Sequence, residues 1–242
     1  PTYTPLYRNR VMTLSQTYRC SSVFRILFAS LGLAAVSSAM ASTAPDAHPT
    51  LRAISGAAPI ERLDPKTTAL VVIDFQNEYF SGRLPIPDGI AAMNKARELI
   101  RFADQAKIPV FQVQHVAPAG SPVFAQGGET VKFHPLMQPR AQDHVLQKTT
   151  VSVFASTDLD RQLKQAGIKT VIFAGLMTHA CVAGGARDAA PLGYQVVVAS
   201  DASATRAITR VNGDTVDKDS LHRAALAEIE DTFGDVMTTQ QI

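Results

Sequence analysis

Cysteine is nearly absent from this chain: two residues, Cys20 and Cys181, in 242. That excludes a disulfide-built fold. No uninterrupted apolar run reaches the ~20 residues needed to span a bilayer. Basic excess is also missing once the N-terminus is set aside. Residues 1–41 hold Arg8, Arg10, Arg19 and Arg25 and no acid, so the remainder keeps 19 basic residues against 21 acidic, and a formal +2 becomes −2. With no basic stripe, nothing points to nucleic acid.

The N-terminal segment explains those arginines. Arg19 and Arg25 precede the apolar run 26–36, "ILFASLGLAAV", and Ala39-Met40-Ala41 follows it. A positive region, a short apolar region and a small-residue cleavage site read as a signal peptide over 1–41. Met12 is taken as its start and residues 1–11 as an upstream artefact. Export is therefore expected, to the periplasm or beyond, with no stable membrane association after cleavage. Cys20 leaves with the signal, and Cys181 becomes a sole thiol without a partner.

Residues 42–66 are rich in Ala, Pro and Ser and read as an extended arm. From 67 to 242 apolar runs alternate with helical patterns. "TALVVID" (68–74), "PVFQVQHV" (109–116), "KTVIFAG" (169–175) and "YQVVVASDA" (194–202) predict buried parallel strands, with "DVMTT" a short last one. Asp88 opens a helix whose Ile90, Met93, Ile100 and Ala103 share a face. Helices are also predicted over 157–167 and 181–193, and at Leu221, Ala225, Ile229 and Phe233. The segment 117–146 has no clear period and reads as a long loop. The pattern predicts an α/β three-layer sandwich around a mostly parallel, Rossmann-like sheet. Ligands of such sheets bind beyond the carboxyl ends of the strands. Asp74 and Cys181 both fall there.

Each candidate residue has a plain alternative. Near a helix N-terminus, backbone N–H groups stabilise a thiolate at Cys181, although a free cysteine is as readily a small core residue. Asp74 is a general base if its surroundings raise its pKa; otherwise it is a loop acid. Lys148 would hold the thiolate and orient the carboxylate, yet lysine is usually a solvated charge. His179 lies two residues from Cys181, a spacing that rarely brings side chains face to face. His115, His134 and His144 match no compact metal-ligand spacing. "AGGA" (183–186) lacks phosphate-loop spacing, and its two glycines each cost a helix about 1 kcal/mol.

In order, "ALVVIDFQNEYF" (69–80), "KTTVSVFASTDLDRQLKQAGIKTVIFAGLMTHACV" (148–182) and "DAAPLGYQVVVASDASAT" (188–205) resemble the isochorismatase-like cysteine hydrolase superfamily over roughly residues 66–240. The resemblance implies a catalytic triad of Asp74, Lys148 and Cys181, with the N–H groups of Thr178 and Cys181 forming an oxyanion hole. It also implies a non-proline cis peptide just before Thr178, and thioester-forming hydrolysis of a small-molecule amide without a cofactor. Members commonly form homo-oligomers. Metal-dependent nicotinamidases carry Asp-x-His after the second strand; "VFQVQHVAPAGSP" does not. Isochorismatases proper generally lack the cysteine, so Cys181 favours C–N hydrolysis. Phe80, His115 and Phe154 are expected near the substrate. The rival readings are an idle small-molecule-binding protein on the same scaffold, and an ester or isochorismatase-type hydrolase.

Overall fold

The computed structural model of the chain describes residues 48–242, so the expected signal segment and the first residues of the arm lie outside the described residues. The described arm carries one helical turn, α1 (Leu51–Ile54), capped by Thr50 Oγ1 accepting from Ala53 N at 3.1 Å. Beyond it the chain runs without regular structure to a short 3₁₀ turn at Pro65–Thr67.

β1 (Thr68–Ile73) is buried at every residue. Its alternate side chains serve two cores. Leu70 and Val72 pack with α2 (Gly89–Ala106) through Met93, Ala96, Leu99 and Ile100. Ala69, Val71 and Ile73 face the opposite layer, with α3 (Leu159–Gln165), α4 (Ala183–Ala189) and α5 (Lys218–Thr232). A strand covered on both faces reads as a near-continuous apolar sequence, and ALVVI after Thr68 supplies it. Ile90 departs from the predicted helix face: it is 51% exposed, because α2 presents it to solvent before the apolar stripe begins.

The remaining sheet strands are β2 (Val110–His115), β3 (His144–Lys148), β4 (Thr170–Leu176) and β5 (Gln195–Ala204). A two-stranded hairpin, β6 (Ile208–Thr209) and β7 (Thr215–Val216), precedes α5, and β8 (Asp235–Met237) closes the sheet. The six-stranded order is β3-β2-β1-β4-β5-β8, parallel throughout. The chain winds outward in opposite directions from β1 and β4, so the crevice at their carboxyl ends is the topological switch point. Ile73 pairs with Gly175, which sets Asp74 level with Leu176. Gly175 is required there: it has φ +145°, and a Cβ would stand 2.3 Å from Ile73 O.

β3 begins within the segment 117–146 expected as loop and runs two residues past it. As an edge strand it buries only Leu146 and Lys148 of five residues, so it has no apolar run to announce it.

Candidate active site

Three buried side chains meet at the switch point. Asp74 is the first residue past β1, with its backbone in the left-handed region at φ 56° and its amide bonded to Val113 O at 3.0 Å. Lys148 ends β3, two strands away, a gap of about 10 Å at ordinary strand spacing that only a long side chain crosses. Its Nζ lies 2.8 Å from Asp74 Oδ2 and 3.3 Å from Cys181 Sγ, and neither Lys148 nor Asp74 reaches solvent. The same ammonium is 2.9 Å from His115 Nδ1 and 3.1 Å from Thr150 O.

Cys181 sits in a five-residue π-turn, Thr178–Val182, between β4 and α4. Such turns accompany functional sites. Met177 O accepts from Ala180 N at 3.1 Å and Val182 N at 3.3 Å. Among the described residues, the amides of Thr178 and Cys181 donate to no backbone acceptor outside the turn. The non-proline cis peptide is Leu176–Met177, one bond upstream of the expected place. The glycines after the cysteine are explained by packing. A Cβ on Gly185 would stand 3.1 Å from the Phe173 ring, and one on Gly184 3.3 Å from Val151 Cγ1.

The electrostatics correct one expectation. Burial, reinforced by the charge of Asp74 and opposed by Lys148, pushes the Cys181 thiol up to about 12. A helix terminus was expected to favour thiolate; instead the resting group is a protonated thiol, only 5% exposed. Burial also raises the Asp74 carboxyl, against the pull of Lys148, which makes it a stronger base than a free aspartate. Although burial opposes its charge, Lys148 is held above its ordinary range by Asp74 and the thiol. Neither Asp74 oxygen accepts a well-aligned hydrogen bond from the described residues. The lysine balances this carboxylate by charge, and its lone pairs remain open to a proton.

Of the expected substrate neighbours, His115 hydrogen-bonds the triad lysine. Burial and then the Lys148 charge depress its imidazole to about 4, so it is a neutral acceptor on the ammonium. Phe80 packs against His134, ring centres 4.5 Å apart. Phe154 is placed with packing side chains, 6.5 Å from Phe173 and 6.1 Å from Tyr194. The same Phe154 ring packs against the cluster that contains Cys181. His144 stacks on Phe111 at 4.6 Å, and His179 bonds Thr205 instead of Cys181. Among the described residues no three His, Cys, Asp or Glu side chains cluster as metal ligands.

Gln76, Glu78 and Tyr79 matter here and were not singled out beforehand. Gln76 Nε2 donates to His115 O at 2.8 Å and Val131 O at 2.6 Å, while its Oε1 accepts from His115 N at 2.8 Å. Glu78 accepts from Arg83 N at 2.6 Å and Phe124 N at 3.3 Å. Together they fasten the long loop beside the site. Tyr79, buried against Phe124 at 5.3 Å, lies within the field of Cys181 and Asp74, which adds to burial in raising its phenol. Polar and aromatic residues crowded just past a strand's carboxyl end, in "DFQNEY", were the available signal.

The isochorismatase-domain family model matches residues 68–241. The secreted isochorismatase effector Isc1 of Verticillium dahliae is 35% identical over 72% of this chain and 90% of its own length. Maleamate amidohydrolase of Pseudomonas putida is 29% identical over 71% and 83%. Among solved structures, an isochorismatase from Pseudomonas putida superposes with TM-score 0.75 at 27% identity, covering 81% of this chain and 99% of that one. A cysteine hydrolase from Pseudomonas syringae gives TM-score 0.71 at 25% identity, covering 76% and 95%.

Proposed function

The chain belongs to the isochorismatase family, and on that premise we propose that it is a cysteine hydrolase cleaving a C–N bond of a small-molecule amide through a thioester. The observation that carries the reading is one buried ammonium touching both a carboxylate and a thiol. The amidohydrolase name of one relative supports the bond type.

Asp74 takes the Cys181 proton as Sγ attacks the amide carbon, so sulfur becomes anionic only in the step that uses it. The carbonyl electron pair moves to oxygen, where the amides of Thr178 and Cys181 receive it. Asp74 then returns the proton to the departing nitrogen and a thioester remains. Water, deprotonated by Asp74, attacks the thioester and frees the acid and the thiol. Lys148 stays charged throughout, so the negative charge passes between carboxylate and sulfur beside a fixed positive one. His115 Nδ1 and Thr150 O accept hydrogen bonds from the ammonium, which holds Lys148 Nζ between the carboxylate and the sulfur.

A panel of small primary amides, read by ammonia release, tests this directly. Cys181→Ala is expected to abolish turnover of any substrate found, with unchanged circular dichroism. Full activity in that variant ends the assignment. The protonated, nearly enclosed thiol favours one second reading, a protein that binds without turnover; saturable binding of an amide without ammonia release would select it. We also propose export with cleavage after Ala41, supported by the relative described as a secreted effector.

A further inference from the structure

A π-turn of five residues has few backbone bonds to set its orientation. Here Met177 O takes two amides, and Gly184 and Gly185, poor helix formers, follow one residue after the turn. Two hydroxyl–imidazole hydrogen bonds fasten the first two residues from outside. Thr178 Oγ1 lies 2.9 Å from His222 Nδ1, near the start of α5. His179 Nδ1 lies 2.6 Å from Thr205 Oγ1, just past β5. Both threonines are buried. Burial lowers both imidazoles from their ordinary range, which leaves each ring neutral with one nitrogen free to accept.

The far end of the Thr178 bond is itself fixed. Asp217 caps α5, accepting from Asp219 N at 3.0 Å and Ser220 N at 2.9 Å. Lys218 bridges to Asp88 at 2.6 Å, tying α5 to the start of α2. An anchored helix therefore grips the turn from outside.

We propose that His222 is a positioning residue for the oxyanion-binding turn: by holding the Thr178 hydroxyl it aims the amides of Thr178 and Cys181 at the developing oxyanion. Thr205 steadies the same turn through His179. This inference rests on the proposed attack of sulfur on a carbonyl, and its test separates the two.

A small aldehyde probes the turn without a leaving group. Sγ adds to the carbonyl carbon, the thiol proton passes to Asp74, and the π pair becomes the oxyanion of a thiohemiacetal. Propionaldehyde labelled with carbon-13 at the carbonyl reports that adduct by NMR. Titration gives its affinity in wild type, His222→Leu, His222→Asn, Thr178→Val and Thr178→Ser. Alkylation of Cys181 by iodoacetamide, which builds no oxyanion, is the control. His222→Leu and Thr178→Val are expected to weaken the adduct at least about tenfold, as misaimed oxyanion donors should. Asn, whose Oδ1 replaces the Nδ1 acceptor, and Ser are expected to restore most of the affinity. Alkylation rates should stay within about twofold of wild type in all four variants, because the thiol and its charged neighbours are untouched.

Unchanged adduct affinity in the Leu and Val variants overturns the inference. So does alkylation that falls in step with it, since that marks a merely structural bond. If His222→Leu does not fold, Thr178→Val makes the same comparison. A wild type that alkylates yet forms no adduct defeats the proposed function, and the positioning role with it.

Discussion

Asp74 and Lys148 press on the same sulfur with opposite signs. Asp74 raises the Cys181 thiol and Lys148 lowers it, with burial above both. Asp74→Asn removes one influence and leaves the other. The thiol should then fall from about 12, and each unit of fall multiplies the thiolate fraction about tenfold. Iodoacetamide labelling of Cys181 near pH 8 should therefore quicken in this variant, while amide hydrolysis drops by about 10²–10⁴ for want of a base. The two readouts move apart. Parallel losses would show that Asp74 does not hold the thiol protonated. In wild type, Asp74 must be ionised to accept the proton, so activity falls as pH drops through its pKa. Because burial raises that carboxyl, the acid limb should lie above the ordinary carboxylate range, and Asp74→Asn should lose it.

At the scale of elements, α4 supplies a contrast between adjacent residues. Gly184 faces Val151, about half exposed and able to shift; Gly185 faces the ring of Phe173, which has no room to move. Gly184→Ala should stabilise by up to about 1 kcal/mol through helix propensity. Gly185→Ala should destabilise by about 1–3 kcal/mol through overpacking. Urea unfolding of both variants checks the signs, and equal effects would contradict the packing account. The glycine pair shows where the sequence stops being readable: spacing excluded a phosphate loop, but only coordinates reveal the ring against which one Cβ would collide. The strands divide similarly. Runs such as ALVVI and VIFA are legible because burial on both faces favours apolar residues throughout. β3 is illegible because an edge strand buries so little. That gap hid the character of Lys148, which looks like a surface charge until β3 aims it inward.

For the whole molecule, the Asp74–Lys148–Cys181 meeting depends on strand order. Alternating elements predicted the parallel sheet, but the place of β3 beyond β2, and hence the reach demanded of the lysine, is a long-range fact. The arm is a second one. Its composition suggested only an extended lead-in, yet it is bonded across α5 and β8. Leu51 N donates to Asp231 Oδ1 at 2.7 Å, Arg52 Nη1 to Asp235 Oδ1 at 2.6 Å, and Ile60 N to Asp235 Oδ2 at 2.7 Å. Asp235 is buried, so losing these donors strands a charge and should cost about 3 kcal/mol. A chain beginning at Ser42, the expected mature start, retains every one of these bonds. One beginning at Pro65 retains none. The first should unfold at the temperature of the full chain, and the second lower by about 2–4 °C for each kcal/mol lost. Thermal melts of the three lengths decide it. Equal melting of the chain from Pro65 would mean that the arm rests on the domain without stabilising it.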